Sequence, residues 1–158
     1  RLSLVGSEMC IRDSKHAGLA SDPSSCSAYV TGVGPDHYAY LPVCLAVRQG
    51  YINGHTFRVD DPVTRGETAD YVEKIFGDAF LASRGRTRAH IEAAGQRFSD
   101  VPLSHLYFYD TSLTDAYAIM TGNPDHTFGV GATLNRAEAS TVMGRLLERI
   151  EELHMRSL

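Results

Sequence analysis

The sequence predicts a mainly α-helical fold built from two tandem helix–loop–helix units, and three observations carry that expectation. The first is an internal duplication. His55-Thr56-Phe57, Val59 and Arg65-Gly66-Glu67 recur as His126-Thr127-Phe128, Val130 and Arg136-Ala137-Glu138, each 71 residues on. Upstream the echo runs at a shift of 68, pairing Val33 with Val101, His37 with His105, Tyr40 with Phe108, Leu45 with Leu113 and Gly54 with Gly122. One supersecondary unit is used twice. The second observation is a helix-start signature at the same place in both copies. Thr64-x-x-Glu67 and Asn135-x-x-Glu138 each set a short polar acceptor three residues before a carboxylate, the pattern of a capping box. The third is an apolar stripe after each box: Ala69, Val72, Ile75 and Phe76 in copy one, and Val142, Met143, Leu146, Leu147, Ile150 and Leu153 in copy two.

Taken in order, residues 1–28 are expected to be a disordered or artefactual segment. Arg1 through Ser14 shows neither helical nor strand period and resembles a translated sequencing adapter, so no weight rests on a missing signal peptide. Copy one spans 29–77. Leu41-Pro42 opens its first helix with proline at the tolerated first position, and Gly50 sits where a C-terminal cap belongs. Residues 78–97 read as a solvated linker, with Arg84, Arg86, Arg88 and Arg97 as a sharper alternative, a supplementary anion-contacting patch. Copy two spans 98–153. Ser112 with Asp115 reads as the N-cap of a helix over Leu113 to Met120 that Gly122 closes. Residues 154–158 are a tail. Phe57 and Phe128 are expected to plug the core beneath their loops, since one buried aromatic supplies much apolar burial.

Composition excludes several function classes. At 158 residues the chain suffices for one domain or two small ones, and its net charge of −4 with no basic stripe argues against nucleic acid. The longest apolar run, Leu41 to Val47, is too short to span a membrane. Cys10, Cys26 and Cys44 lack C-x-x-C spacing, which disfavours a zinc site, while pairing of Cys26 with Cys44 is left open. His37, His55, His105 and His126 match no metal spacing. An EF-hand loop fails because Leu134 stands at the twelfth position from Asn123, where a bidentate Glu belongs. No nucleophile–base pair or paired carboxylate recurs beyond the caps, so no enzyme, metal or cofactor is expected.

The arginines stand apart. Glu67 and Glu138 are explained as helix-capping groups, but Arg65 and Arg136 fall at the first helical position, where the macrodipole disfavours a cation. A counter-charge is implied, either a carboxylate of the fold or an external anion sharing the helix N-terminus.

These motifs resemble the S-layer homology family. The resemblance rests on Phe98-Ser99-Asp100-Val101, Tyr107 to Tyr109, Gly122, Thr127-Phe128 and Asn135-Arg136-Ala137-Glu138 in copy two. In copy one it rests on Val33, Tyr38 to Tyr40, Gly54, Thr56-Phe57 and Thr64-Arg65-Gly66-Glu67. It implies a small helical bundle, an incomplete form of the family's pseudo-threefold arrangement, with two repeats here and a third one supplied by missing upstream sequence. It also implies an extracellular, non-covalent anchoring module at the bacterial cell wall or cell surface. The partner would be an acidic, pyruvate-bearing secondary cell-wall polysaccharide, contacted by Arg65 and Arg136 with Thr64, Asn135 and Asp100. Gly32 and Gly66 depart from the family's Asp and Ala, Asn135 from its Thr, and tryptophan is absent. The alternative function is a structural or protein–protein interaction repeat without glycan binding. Deleting residues 1–14 is expected to leave the melting temperature unchanged in a thermal denaturation scan, and a clear drop would show that this stretch is packed.

Overall fold

Every helix start in the second copy repeats one in the first at the shift read from the sequence. The computed structural model describes residues 32–54 and 58–156. Within them α1 runs Tyr40–Arg48, α2 Arg65–Ser83, α3 Arg88–Glu92, α4 Phe108–Ala116 and α5 Arg136–Arg156. The described residues form no named strand, only one isolated bridge between Thr64 and Thr133, so the protein is mainly helical. The expectations for residues 1–14, Cys26, His55 and Phe57 lie outside the described residues. The chain divides into two units between Asp61 and Pro62, each with its own apolar cluster.

In the first unit α1 buries Tyr40, Val43 and Cys44 with Val33, and Leu41, Val47, Ile52 and Val59 pack at the edge. Cys44 is disulfide-bonded. The helix starts two residues before the expected position, leaving Pro42 third in the first turn, where a missing N–H still costs no intrahelical bond. A histidine turn sets that start: His37 Nδ1 accepts from the Ala39 N–H at 3.1 Å. Gly50, at φ +76°, ends it in a Schellman motif, with Tyr51 N–H bonded to Ala46 O and Gly50 N–H to Val47 O.

In the second unit α2 packs most extensively along α4, α3 lies on α4, and α5 packs against α2. The two second helices meet, but their apolar stripes are only partly covered. Val72, Val142 and Leu146 enter the core, but Ile75, Met143 and Leu147 are exposed at 44%, 55% and 56%. Periodicity gives which residues share a helix face, not whether a neighbour covers it. The segment expected as a solvated linker is also corrected, since it holds the end of α2 and all of α3, with Phe80, Leu81 and Ile91 buried. Phe80 stacks on Tyr117 at 5.2 Å between ring centroids, and the Tyr117 hydroxyl donates to Phe80 O at 2.6 Å. Three of the four arginines there are engaged internally. Arg88 bonds Glu92 and lies over the Tyr109 ring, Arg97 pairs with Asp115, and Arg84 lies over Tyr117.

The helix expected over Leu113 to Met120 begins and ends earlier. Ser112 is buried mid-helix rather than capping, because the start is set by His105, whose Nδ1 accepts from the Tyr107 N–H at 3.1 Å just as His37 does in copy one. The end falls at Tyr117 and Ala118, with Ala118 at φ +55° and Ile119 N–H bonded to Thr114 O. Gly122 serves close approach instead of a cap. A Cβ there would lie 2.3 Å from the Phe98 ring and 2.9 Å from Thr127 O. The buried hydroxyls of Thr111 and Thr114 are satisfied within the helix by Tyr107 O and Asp110 O.

Asp110 is the one carboxyl among the buried described residues. It is 8% exposed, and burial, reinforced by the nearby Asp70 and Glu73 carboxylates, pushes its pKa up to about 7 against the weaker pull of Arg88 and Lys74. A raised folded-state pKa means that the folded protein binds the extra proton between about pH 4 and 7, so stability falls as pH rises through that window. Asp110→Asn is expected to raise the melting temperature at pH 8 and to lose that advantage by pH 5, the effect being on the order of 2–4 kcal/mol at most. Equal gains at both pH values in thermal denaturation would show that ionisation of Asp110 is not the cause.

Candidate functional site

Both capping boxes form. Thr64 Oγ1 accepts from Glu67 N–H at 3.2 Å while Glu67 Oε2 accepts from Thr64 N–H at 2.8 Å. Asn135 Oδ1 accepts from Glu138 N–H at 3.0 Å, and Glu138 Oε2 takes the Asn135 N–H at 2.9 Å. Equivalent capping boxes start α2 and α5, yet the arginines at their first positions meet different surroundings.

Arg65 is turned inward. Its side chain is 12% exposed, Nε donates to Phe128 O at 2.8 Å, and Nη2 donates to Thr121 O at 2.9 Å. The guanidinium carbon stands 5.0 Å from the Phe128 ring centroid, and Nη1 is 3.8 Å from Glu138 Oε1. The N–H groups at the α2 terminus are taken as well: Arg65 N–H bonds Ala132 O at 2.8 Å and Gly66 N–H bonds Val130 O at 3.0 Å. The counter-charge required by the helix dipole is thus mainly a set of loop carbonyls. Gly66 is required by the same closeness, since a Cβ there would lie 2.6 Å from the Tyr107 ring and 3.1 Å from Val130 O.

Asp100 grips the same loop from the other side. Its Oδ1 accepts from Phe128 N–H at 2.7 Å and its Oδ2 from Gly129 N–H at 2.8 Å. Burial would raise its pKa, but the backbone donors outweigh it and hold the carboxyl below its ordinary value. Phe128, clamped between Asp100 and Arg65, is fully buried, with its ring 5.1 Å from that of Phe98.

Arg136 is exposed at the first position of α5, and no described residue bonds or pairs with it. Beside it a cleft of about 250 Å³ opens between α5 and the segment from Ile119 to Thr121. Arg65, Asn135, Glu138, Thr141 and Arg145 supply its polar lining, and Met120 and Val142 are among its apolar residues. Of the residues singled out in the sequence, Arg65 and Asn135 therefore meet in the cleft. Thr64, Asp100 and Arg136 do not line it. Thr121, Thr141 and Arg145 had not been singled out. The signal available for two of them was the 71-residue shift, which sets Thr141 on Asp70 and Arg145 on Lys74.

The described residues include no group of three or more side chains able to hold a metal. His37 and His105 are turn residues, and His126 sits at φ +62° in the loop before Phe128.

Residues 33–69 match the family model described as S-layer homology domain, a span from Val33 through α1 to the first turns of α2. The match supports an S-layer homology domain over residues 33–69. S-layer homology domains are anchoring modules of the cell wall that bind cell-wall polymers and are not enzymes, and the domain points to the cell surface. No described helix is long and apolar enough to cross a membrane. No curated protein and no solved structure matches the chain.

Asp100→Ala is expected to free the Phe128 and Gly129 amides and to cost about 1.5–3 kcal/mol for each charge-assisted bond lost. Because the folded-state pKa is lowered, the clamp's contribution is present above the ordinary carboxylate pKa and is lost as pH falls through the lowered value. Hydrogen exchange reads both effects. Unchanged protection of the two amides in the variant would refute the clamp.

Proposed function

We propose that this protein anchors non-covalently to an acidic secondary cell-wall polysaccharide, one bearing carboxylate groups such as pyruvate ketals, through the face that holds the α5 N-terminus and the adjoining cleft. The observation that carries the reading is the exposed Arg136, unpaired among the described residues, beside a cleft rimmed by Arg65 and Asn135. A forked guanidinium suits a carboxylate better than a point charge does. The coarser role, anchoring at the wall, comes from the S-layer homology domain itself. In this reading Asn135 and Arg65 serve the ligand directly. Thr64 and Asp100 support it by fixing the helix start and the loop.

One observation favours the structural-repeat alternative for part of the site. Arg65 donates to two carbonyls of copy two, so it acts first as a rivet between α2 and the loop. The test therefore rests on Arg136. The full chain is expected to sediment with purified cell walls and to be released by raised ionic strength, since exposed charges are screened. Arg136→Ala should weaken binding about ten- to a hundredfold, the loss of one charged hydrogen-bond set. If Arg136→Ala and Arg65→Ala together leave sedimentation untouched, the structural-repeat reading takes over.

A further inference from the structure

The cleft beside α5 holds a second cation that no motif assigns. Arg145 lines it, and its one hydrogen bond reaches Ile119 O at 3.4 Å, near the outer limit for such a bond. No carboxylate of the described residues lies within 4.0 Å of it. A guanidinium carries five N–H donors, so most of its capacity is uncommitted.

The duplication explains why it stands unpaired among the described residues. At the equivalent place in copy one Lys74 is neutralised by Asp70 at 2.7 Å. The shift of 71 sets Arg145 on Lys74 and Thr141 on Asp70. Copy two therefore keeps the cation, in its forked form, and replaces the partner acid by a hydroxyl.

The charges around the cleft sum to about one positive. Arg65 and Arg145 face Glu138, whose Oε2 is held by the Asn135 N–H and whose Oε1 is 3.8 Å from Arg65 Nη1. Such a site suits a monoanion better than a phosphate dianion, which would meet Glu138. A volume of about 250 Å³ falls below the roughly 300–1,000 Å³ of sites that bury drug-sized ligands, and it fits a single sugar unit rather than an oligosaccharide.

We propose that Arg145, made available by the Asp70-to-Thr141 difference between the copies, is the cleft's main carboxylate contact and receives one carboxylate-bearing sugar unit of the wall polysaccharide. The inference rests on the anchoring reading above and adds the contact that would give it a preference for carboxylate. The fork of Arg145 binds the carboxylate, and Thr141 and Asn135 lie within the same cleft to meet sugar hydroxyls.

The experiment measures binding of the full chain to purified wall polysaccharide by calorimetry, with the native glycan and with the same glycan after its carboxyl groups are reduced to alcohols. Arg145→Ala is expected to lose at least tenfold in affinity for the native glycan, and Arg145→Lys to recover only part. Thr141→Asp, which rebuilds the copy-one ion pair without removing the arginine, should lose a similar factor. Thr141 is exposed and its hydroxyl only back-bonds to Ala137 O, so this variant keeps the test valid if Arg145→Ala fails to fold. All forms should bind the reduced glycan equally and weakly. If the wild type prefers the native glycan while Arg145→Ala and Thr141→Asp bind like it, this inference is overturned and the anchoring reading stands. If the wild type binds neither glycan, the anchoring reading fails and this inference falls with it.

Discussion

Much of the second unit depends on the hold that two opposite charges keep on one short loop. Asp100 takes the N–H groups of Phe128 and Gly129, and Arg65 takes the carbonyls of Phe128 and Thr121. The peptide groups around Phe128 are thereby fixed from both polar ends, which directs the ring into the core against Phe98. Each charged hydrogen bond of this kind contributes about 1.5–3 kcal/mol, and an unsatisfied buried partner would cost as much. The loop in turn supplies Val130 O and Ala132 O to the first N–H groups of α2. One loop thus caps the start of a helix of copy one, seats an aromatic plug of copy two and holds Arg65, which lines the cleft.

The two copies show how a motif's role depends on its neighbours in the fold. Arg65 and Arg136 occupy equivalent positions after equivalent capping boxes. Arg65 is drawn inward because the copy-two loop offers carbonyls at hydrogen-bond distance, whereas Arg136 finds no such loop among the described residues. The apolar positions obey the same rule. Val72 is buried and Phe76 packs against the core, while their equivalents Met143 and Leu147 are more than half exposed. Chemistry of sequence is shared; environment is not.

What could be read from sequence was local. The capping boxes at Thr64 and Asn135 set both second helices to the residue, because their bonds span only three positions. The burial of Phe128 was legible from its place in the repeated loop. The first helix of copy two was misplaced because Ser112 has an N-cap's side chain but sits inside the core, and because the real start uses a histidine ring nitrogen. Its end was missed for a related reason. Ala118 adopts a left-handed conformation that glycine normally marks, and surrounding contacts hold it there. The partner of Arg65 was illegible in another way: backbone carbonyls 56 and 63 residues away carry no residue type by which to be recognised. The cleft itself arises only when α5 and the segment ending at Thr121 meet.

The difference at Asp70 and Thr141 shows why duplication sharpens physical reading. A lone Arg145 on an exposed helix face would suggest little, since a solvated arginine is common. Set beside Lys74, it gains a control within the same chain: same helix position, same charge, but with the neutralising carboxylate one turn earlier replaced. A surface ion pair such as Lys74–Asp70 contributes at most about 1 kcal/mol, so its loss in copy two costs the fold little. The same exchange changes the net charge of a 250 Å³ cleft by a full unit. In a concave, partly desolvated space that change weighs more than it does on an open helix face, because the interaction of a ligand's charge with the site grows as the effective dielectric falls. A substitution nearly neutral for stability can therefore decide which ligand charge the cleft accepts.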